Sequence, residues 1–333
     1  MTPQIWAATL ISAVVAAIAP LPLRPVLEHL GVVDIPVARS SHTRPTLRGG
    51  GVAPLLGAIV FGAVVLRSFQ GQSRALVAVV MAAAVVMGLV GLAEDTRGLS
   101  MRVRLVSQLL VGGLAASALW HRALDGWIWI ALGAIFFAAN VNFTNFMDGV
   151  NGISGLYGLV AGTAFAVLGA TQDEWWLTTV GVLVAFTFAA FLPWNLIPPG
   201  LFLGDVGSYL LGALVAGMAL GALRAGINPV AVLAPLSIYW ADTVTTLVKK
   251  LHTHQSLFEA HRAHTYQRLT DVGIPHIGVA SIVAAFAGLA SLCGVLAVRT
   301  GGYLLSGAAI VVLCIAYLLL PSLLRSRAKA VNA

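Results

Sequence analysis

Long apolar runs separated by short polar stretches set the pattern of this chain, at 5–23, 51–66, 75–93, 105–120, 126–144, 153–171, 176–193, 207–222, 229–248, 277–298 and 303–320. A helix needs about 20 mostly apolar residues to cross hydrocarbon, with tilt and local thinning absorbing shorter or longer runs. Eleven transmembrane helices are therefore expected, of which those beginning at 51, 105 and 207 are short and borrow from neighbouring loops. The first run follows Met1-Thr2-Pro3-Gln4, without the basic stretch that opens a secretory signal, so it reads as a retained span.

Composition removes the soluble alternative. Hydrophobic residues make up 59% and charged residues 9% of the 333, and mean hydropathy is +0.93, well outside the balance of a water-soluble domain. The fold class is all-α, polytopic and membrane-integral. Cys293 and Cys314 both fall inside apolar runs and fit neither a disulfide framework nor a zinc site. A formal charge of +7 is divided among short loops, which favours anionic headgroups and an anionic substrate over nucleic acid.

Charge also orients the chain. Arg24, Arg39, Arg44, Arg48, Arg97, Arg102, Arg104, Lys249, Lys250, Arg262, Arg268, Arg325, Arg327 and Lys329 fall after spans 1, 3 and 9 or in the C-terminal tail, leaving Arg67, Arg74, Arg122, Arg224 and Arg299 opposite. By the positive-inside rule the N-terminus is expected outside and the C-terminus in the cytoplasm. Glu94, Asp95, Asp148, Asp205 and Asp242 then sit at or near the inner face. A solvated helix end explains any one of them; several from separate spans on one side point to function.

Five inner loops carry the polar motifs. HTRPTLRGGG, from His42 to Gly51, combines His42, Arg44 and Arg48 with three glycines that allow close approach of backbone or phosphate, as would an ordinary headgroup-binding turn. Glu94 and Asp95 precede Arg97, Arg102 and Arg104; adjacent carboxylates can bind Mg2+ or act as a base, and the same residues would suit a charged helix end. Asn142, Asn145, Asp148 and Asn151 recur every three residues, so a continuing helix would gather several on one face, with oxygens for a hard cation and amides for a base or sugar edge. Asp205 stands between Gly204 and Gly207, as a helix cap or a metal ligand. In the last loop His252, His254, His261 and His264 accompany Arg262 and Arg268, with no cysteine or acid at the familiar spacing of a tetrahedral zinc set, and fit a pyrophosphate better.

Taken together, HTRPTLRGGG, EDTRGLS, NFTNFMDGVNG, LFLGDVGS and HRAHTYQ resemble, in order, the motifs of the polyprenyl-phosphate N-acetylhexosamine-1-phosphate transferase family. The resemblance covers nearly the whole chain and implies a single membrane-embedded transferase domain, 1–333, with cytoplasmic loops 24–50, 94–104, 145–152, 194–206 and 249–276. It implies transfer of a sugar 1-phosphate from a UDP-activated amino sugar to polyprenyl (undecaprenyl) phosphate, releasing UMP at the cytoplasmic face of a bacterial inner membrane. Mg2+ is the implied cofactor, with Mn2+ as a substitute, held by Asp205 and Asn145. Glu94, Asp95, Asp148 and His264 are the implied catalytic group. Arg104, Asn142, Asn151, His261, Arg262, His42 and Arg44 are expected to bind substrate, with Asn151 toward the uracil and Arg104, Arg262 and His264 toward phosphates.

Three departures stand out. Glu94 replaces the first aspartate of the paired-acid motif, Asn151 stands where many bacterial members have an acid, and Tyr266 and Gln267 replace histidines. The HRAHTYQ form is similar to the branch that initiates O-antigen and related glycans with sugars such as N-acetylfucosamine or N-acetylquinovosamine. A transporter is the rival reading, although its site would lie near the midplane; a non-catalytic lipid-binding member of the same fold is a third. A homodimer is compatible with the sequence, which does not specify oligomeric state.

Overall fold

The computed structural model of the protein describes residues 2–36, 45–120, 126–198, 200–252 and 264–331. His42, Arg44, His261 and Arg262 lie outside the described residues. Helices form wherever the apolar runs fall: α1 (Pro3–Ile18), α2 (Pro20–His29), α3 (Val52–Val65), α4 (Gly71–Arg97), α5 (Met101–Trp120), α6 (Gly126–Met147), α7 (Ile153–Thr171), α8 (Trp175–Leu196) and α9 (Gly204–Arg224). They are followed by α10 (Pro229–Leu233), α11 (Ser237–His252), α12 (Thr265–Asp271), α13 (His276–Thr300) and α14 (Tyr303–Val331). One two-residue antiparallel hairpin, β1 (Val33–Asp34) with β2 (Thr46–Leu47), precedes α3, pairing Val33 with Leu47 and Asp34 with Thr46.

Among the described residues, nine helical segments are long and apolar enough to cross a membrane, the α10–α11 pair counting as one. The pair α1–α2, bent by 40° where Pro20 opens the second helix, passes the same test jointly, and α3 is a shorter apolar helix. These segments fall on the eleven apolar runs of the sequence. The run at 229–248 is not one straight rod: Pro235 lies in a single 3-10 turn, Ala234–Leu236, which separates α10 from α11.

Helix α9 forms the centre of the bundle. In its most apolar stretch 94% of residues are buried, against 6% for α14, whose Leu304 and Leu305 face outward. With lipid as apolar as leucine, helices associate through close packing of small residues. Gly162 and Gly181 show this between α7 and α8, where a Cβ on either would lie 2.5 Å from backbone nitrogen of the other helix.

Candidate active site

The site forms at one end of the bundle, where α4, α6 and α8 finish and α9 begins. Gly98, at φ +67, stops α4, and its N–H returns to Glu94 O. This brings the Leu99 N–H onto the Glu94 carboxylate, whose Oε1 also lies 3.3 Å from Arg104 Nη1 in the first turn of α5. Arg104 Nε is buried and makes no hydrogen bond among the described residues.

Asp95 points the other way, into the protein. Its Oδ1 accepts from the Asp205 N–H at 3.1 Å and its Oδ2 from the Val206 N–H at 3.0 Å. The first amides of a helix have no partner within it, so this carboxylate of α4 caps α9 across 110 residues of sequence. Only glycines permit the approach: a Cβ on Gly204 (φ +74) would sit 2.5 Å from Asp95 Oδ2, and one on Gly91 would sit 2.2 Å from Asp205 O. On the opposite side Gly51 meets Gly207, where a Cβ would fall 2.3 Å from backbone.

The three glycines after Arg48 thus serve packing. The Gly50 and Gly51 N–H groups donate to Phe202 O and Leu203 O, while the Phe202 N–H donates to Leu47 O. This ladder sets Arg48 over Asp95, with Nη2 donating to Asp95 O at 3.1 Å and Nε 3.6 Å from Oδ1.

Asparagines on α6 complete the cluster. Asn145 Nδ2 donates to Asp205 Oδ1 at 2.7 Å and to Ser208 Oγ at 3.0 Å. Asn142 is one turn earlier and occupied differently, donating to Gln108 Oε1 on α5 and to Ala138 O at 2.8 Å. Beyond the helix, Asp148 accepts from Ser154 Oγ at 2.6 Å, and burial pushes its carboxyl up to about 7, only partly offset by that hydrogen bond. Asn151 turns toward α8, donating to Asn195 O at 2.9 Å, and the Gly152 N–H meets Asn195 Oδ1.

Helix α12 covers the Asn-rich loop. Tyr266 Oη donates to Phe146 O at 3.1 Å and lies where a Cβ on Gly149 would be only 2.1 Å away. His264 is the α12 N-cap, in a capping box with Gln267. Its Nδ1 is 3.2 Å from Asp242 Oδ1 on α11. Tyr266 and Gln267, which depart from the family pattern, therefore dock and cap this helix.

The structure thus joins Glu94, Asp95, Arg104, Asn145 and Asp205 in one cluster, while Asp148 and Asn151 sit in the adjoining loop and His264 across from it. Sequence reasoning counted Arg48 only as a basic residue and Asp242 only as an acid inside a span. The signals were Arg48 directly preceding three glycines, and a charge in an apolar run. Asn195, Gln108 and Ser154 carried no signal of comparable strength.

A polytopic helical membrane protein with carboxylates, an amide and guanidinium groups converging at one bundle end is the class this defines. The family described as glycosyl transferase family 4 matches residues 77–222, which run from α4 into α9. The decaprenyl-phosphate N-acetylglucosaminephosphotransferase of Mycobacterium tuberculosis is 29% identical, over 84% of this chain and 79% of its own length. The probable undecaprenyl-phosphate N-acetylglucosaminyl 1-phosphate transferase of Bacillus subtilis is 22% identical, over 79% and 77%. A phospho-N-acetylmuramoyl-pentapeptide-transferase of Moorella thermoacetica is 28% identical over 40% of this chain and 49% of its own. Over most of its length the chain is thus similar to polyprenyl-phosphate N-acetylglucosamine-phosphate transferases.

Proposed function

We propose that this protein transfers the 1-phosphate of an N-acetylated amino sugar from its UDP derivative to polyprenyl phosphate, giving a polyprenyl-diphosphate sugar and UMP. We place the reaction on the cytoplasmic face of a bacterial inner membrane, as the first membrane step of a surface glycan such as O-antigen or a cell-wall polymer. The observation that carries the reading is the meeting of Asp95, Asp205, Asn145, Glu94, Arg48 and Arg104, drawn from five segments, at one end of a membrane bundle. The named activities of the relatives agree with it.

The donor set fits Mg2+, with Mn2+ able to substitute. The described residues hold no ready-made cage of three or more metal-binding side chains. Mg2+ commonly binds through one or two carboxylates together with substrate phosphates. Asp205 is the carboxylate we assign to it; its Oδ1 is held by Asn145, and that bond leaves Oδ2 for a cation. Asn145 would contribute by turning its amide oxygen inward. When bound, the ion would neutralise charge developing on the pyrophosphate.

The chain's own residues do the rest. Asp95 and the glycine contacts hold α9 so that Asp205 projects from its first turn. Arg104, with its unpaired buried Nε–H, would hold a phosphate oxygen, and Arg48 would hold a second. Glu94, less buried than Asp95 and engaged by Arg104, is placed to orient or deprotonate the acceptor phosphate, whereas both Asp95 oxygens are already committed to α9. Asp148 and Asn151 would line the nucleotide side, and His264 would face the phosphates with His261 and Arg262. His42 and Arg44 are assigned to the lipid phosphate.

The test is UMP release by purified protein supplied with polyprenyl phosphate, Mg2+ and a panel of UDP-sugars. We expect release with one or a few N-acetylated donors only. No release with any donor, or solute uptake by proteoliposomes in its place, would overturn the reading.

A further inference from the structure

Asp242 is fully buried inside the α10–α11 span, yet none of the roles above uses it. Its carboxylate is engaged by partners from two other helices. Oδ1 accepts from the Thr265 N–H at 2.8 Å and lies 3.2 Å from His264 Nδ1; Oδ2 accepts from the Tyr266 N–H at 3.2 Å and from Tyr317 Oη at 2.7 Å. Thr265 and Tyr266 open α12 and Tyr317 lies on α14, otherwise a peripheral helix. Helix α11 is itself fixed to α6, because Trp240 Nε1 donates to Asn140 Oδ1 at 2.9 Å and the Trp240 ring packs edge-on against Phe143 at 5.1 Å.

A buried charge is costly unless it is hydrogen-bonded, and the cost of leaving these donors unpaired holds the assembly together. We infer that Asp242 and Tyr317 form a positioning latch. Through the first turn of α12 the latch sets His264 beside the Asn-rich loop and pushes Tyr266 onto Phe146 O and Gly149. The chain from 243 to 264, which carries His261 and Arg262, then begins and ends at one carboxylate. Asp242 touches no substrate; it fixes where His264 and the first turn of α12 meet the end of α6. The inference rests on the phosphate-binding role proposed for that loop.

Two variants test it. Asp242→Asn replaces one acceptor oxygen by an N–H2 that cannot accept from these donors, and Tyr317→Phe removes a single buried donor while keeping the ring that fills its place. For Asp242→Asn we expect kcat/KM for the UDP-sugar to fall on the order of 10- to 100-fold. The loss should lie mainly in donor KM, with KM for polyprenyl phosphate unchanged. Tyr317→Phe should give a smaller loss of the same kind. Hydrogen exchange of the peptide covering 264–271 should accelerate in both, because the Thr265 and Tyr266 amides lose their acceptor or its anchor. Unchanged exchange in Tyr317→Phe together with an unchanged donor KM would overturn the latch. So would a loss of activity that only tracks the folded fraction, with both KM values as in the parent. If the parent protein releases no UMP with any donor, the proposed reaction falls, and the exchange measurement still decides whether the latch exists.

Discussion

Two buried aspartates do the same mechanical job at the two halves of the site. Asp95 of α4 caps α9, and Asp242 of α11 caps α12, each accepting from two successive backbone amides of a helix that begins far away in sequence. Their company differs. Asp95 anchors a helix whose first turn carries another carboxylate, Asp205, and is faced by Arg48. Asp242 is surrounded by hydroxyl and imidazole groups, and the segment it anchors is basic. On the function proposed above, one clamp would set a carboxylate toward a cation and the other would set His264 toward a phosphate. Shared geometry with opposite charge is the lesson of the comparison.

The comparison breaks first at Asp205. If it is the metal-binding charge and Asp95 only its support, Asp205→Asn should lower kcat on the order of 10²- to 10³-fold, as loss of a charge stabiliser does. The same change removes repulsion between neighbouring carboxylates, so the melting temperature in detergent should hold or rise. A fall in melting temperature with preserved kcat would reverse the two roles. Next in size is Gly51→Ala, which keeps every charge but places a methyl 2.3 Å from Gly207 backbone. Backbone cannot yield as a side chain can, so a destabilisation of about 1–3 kcal/mol is expected by thermal unfolding. The equivalent probe of the other half is Gly149→Ala, directed at the Tyr266 hydroxyl.

Asp148 lies between the two halves, and pH reads its charge. The folded state holds its proton up to about 7, whereas the unfolded chain releases it near 3.8. Between those values the folded state binds more protons, so this residue makes stability fall as pH rises from about 4 toward 7, by at most about 1.4 kcal/mol per pH unit. Asp148→Asn should flatten that part of the melting-temperature profile. Ser154→Ala removes the hydroxyl that favours the ionised form and should extend the decline to higher pH. Parallel profiles for parent and Asp148→Asn would show that the carboxyl is ionised throughout.

How much of this the sequence disclosed follows from the range over which each feature is determined. Membrane spans are local sums of apolar residues, and the eleven runs fell on helices. Breaks inside them follow from single residues, and Pro235 was a visible warning that 229–248 would not be straight. The polar motifs were legible because Asn145, Asp205 and Glu94 are expensive in apolar surroundings. What each does with its hydrogen bonds was not legible. Asp95 differs from Glu94 because it meets helix α9, 110 residues on, through contacts that only Gly91 and Gly204 allow. The pairing of Asn142 with Gln108 likewise joins α5 to α6 across 34 residues, and no periodicity within either helix signals it.

That pair gives the smallest effect expected and the finest test of the division of labour. The regular spacing of Asn142, Asn145, Asp148 and Asn151 suggested that several share one face, with Asn142 expected to bind substrate, but the Asn142 amide already donates to Gln108 Oε1 and Ala138 O, while Gln108 Nε2 reaches Asn142 Oδ1 at 3.5 Å. Gln108 is wholly buried, so Asn142→Leu would strand its amide and cost about 1–3 kcal/mol, whereas removing both partners together is nearly neutral in such cases. The double variant Asn142→Leu, Gln108→Leu should therefore unfold at a higher temperature than Asn142→Leu alone, and its kcat/KM for the UDP-sugar should stay within about threefold of the parent. A loss of donor binding that persists in the double variant would instead move Asn142 into the substrate site, as the resemblance implies.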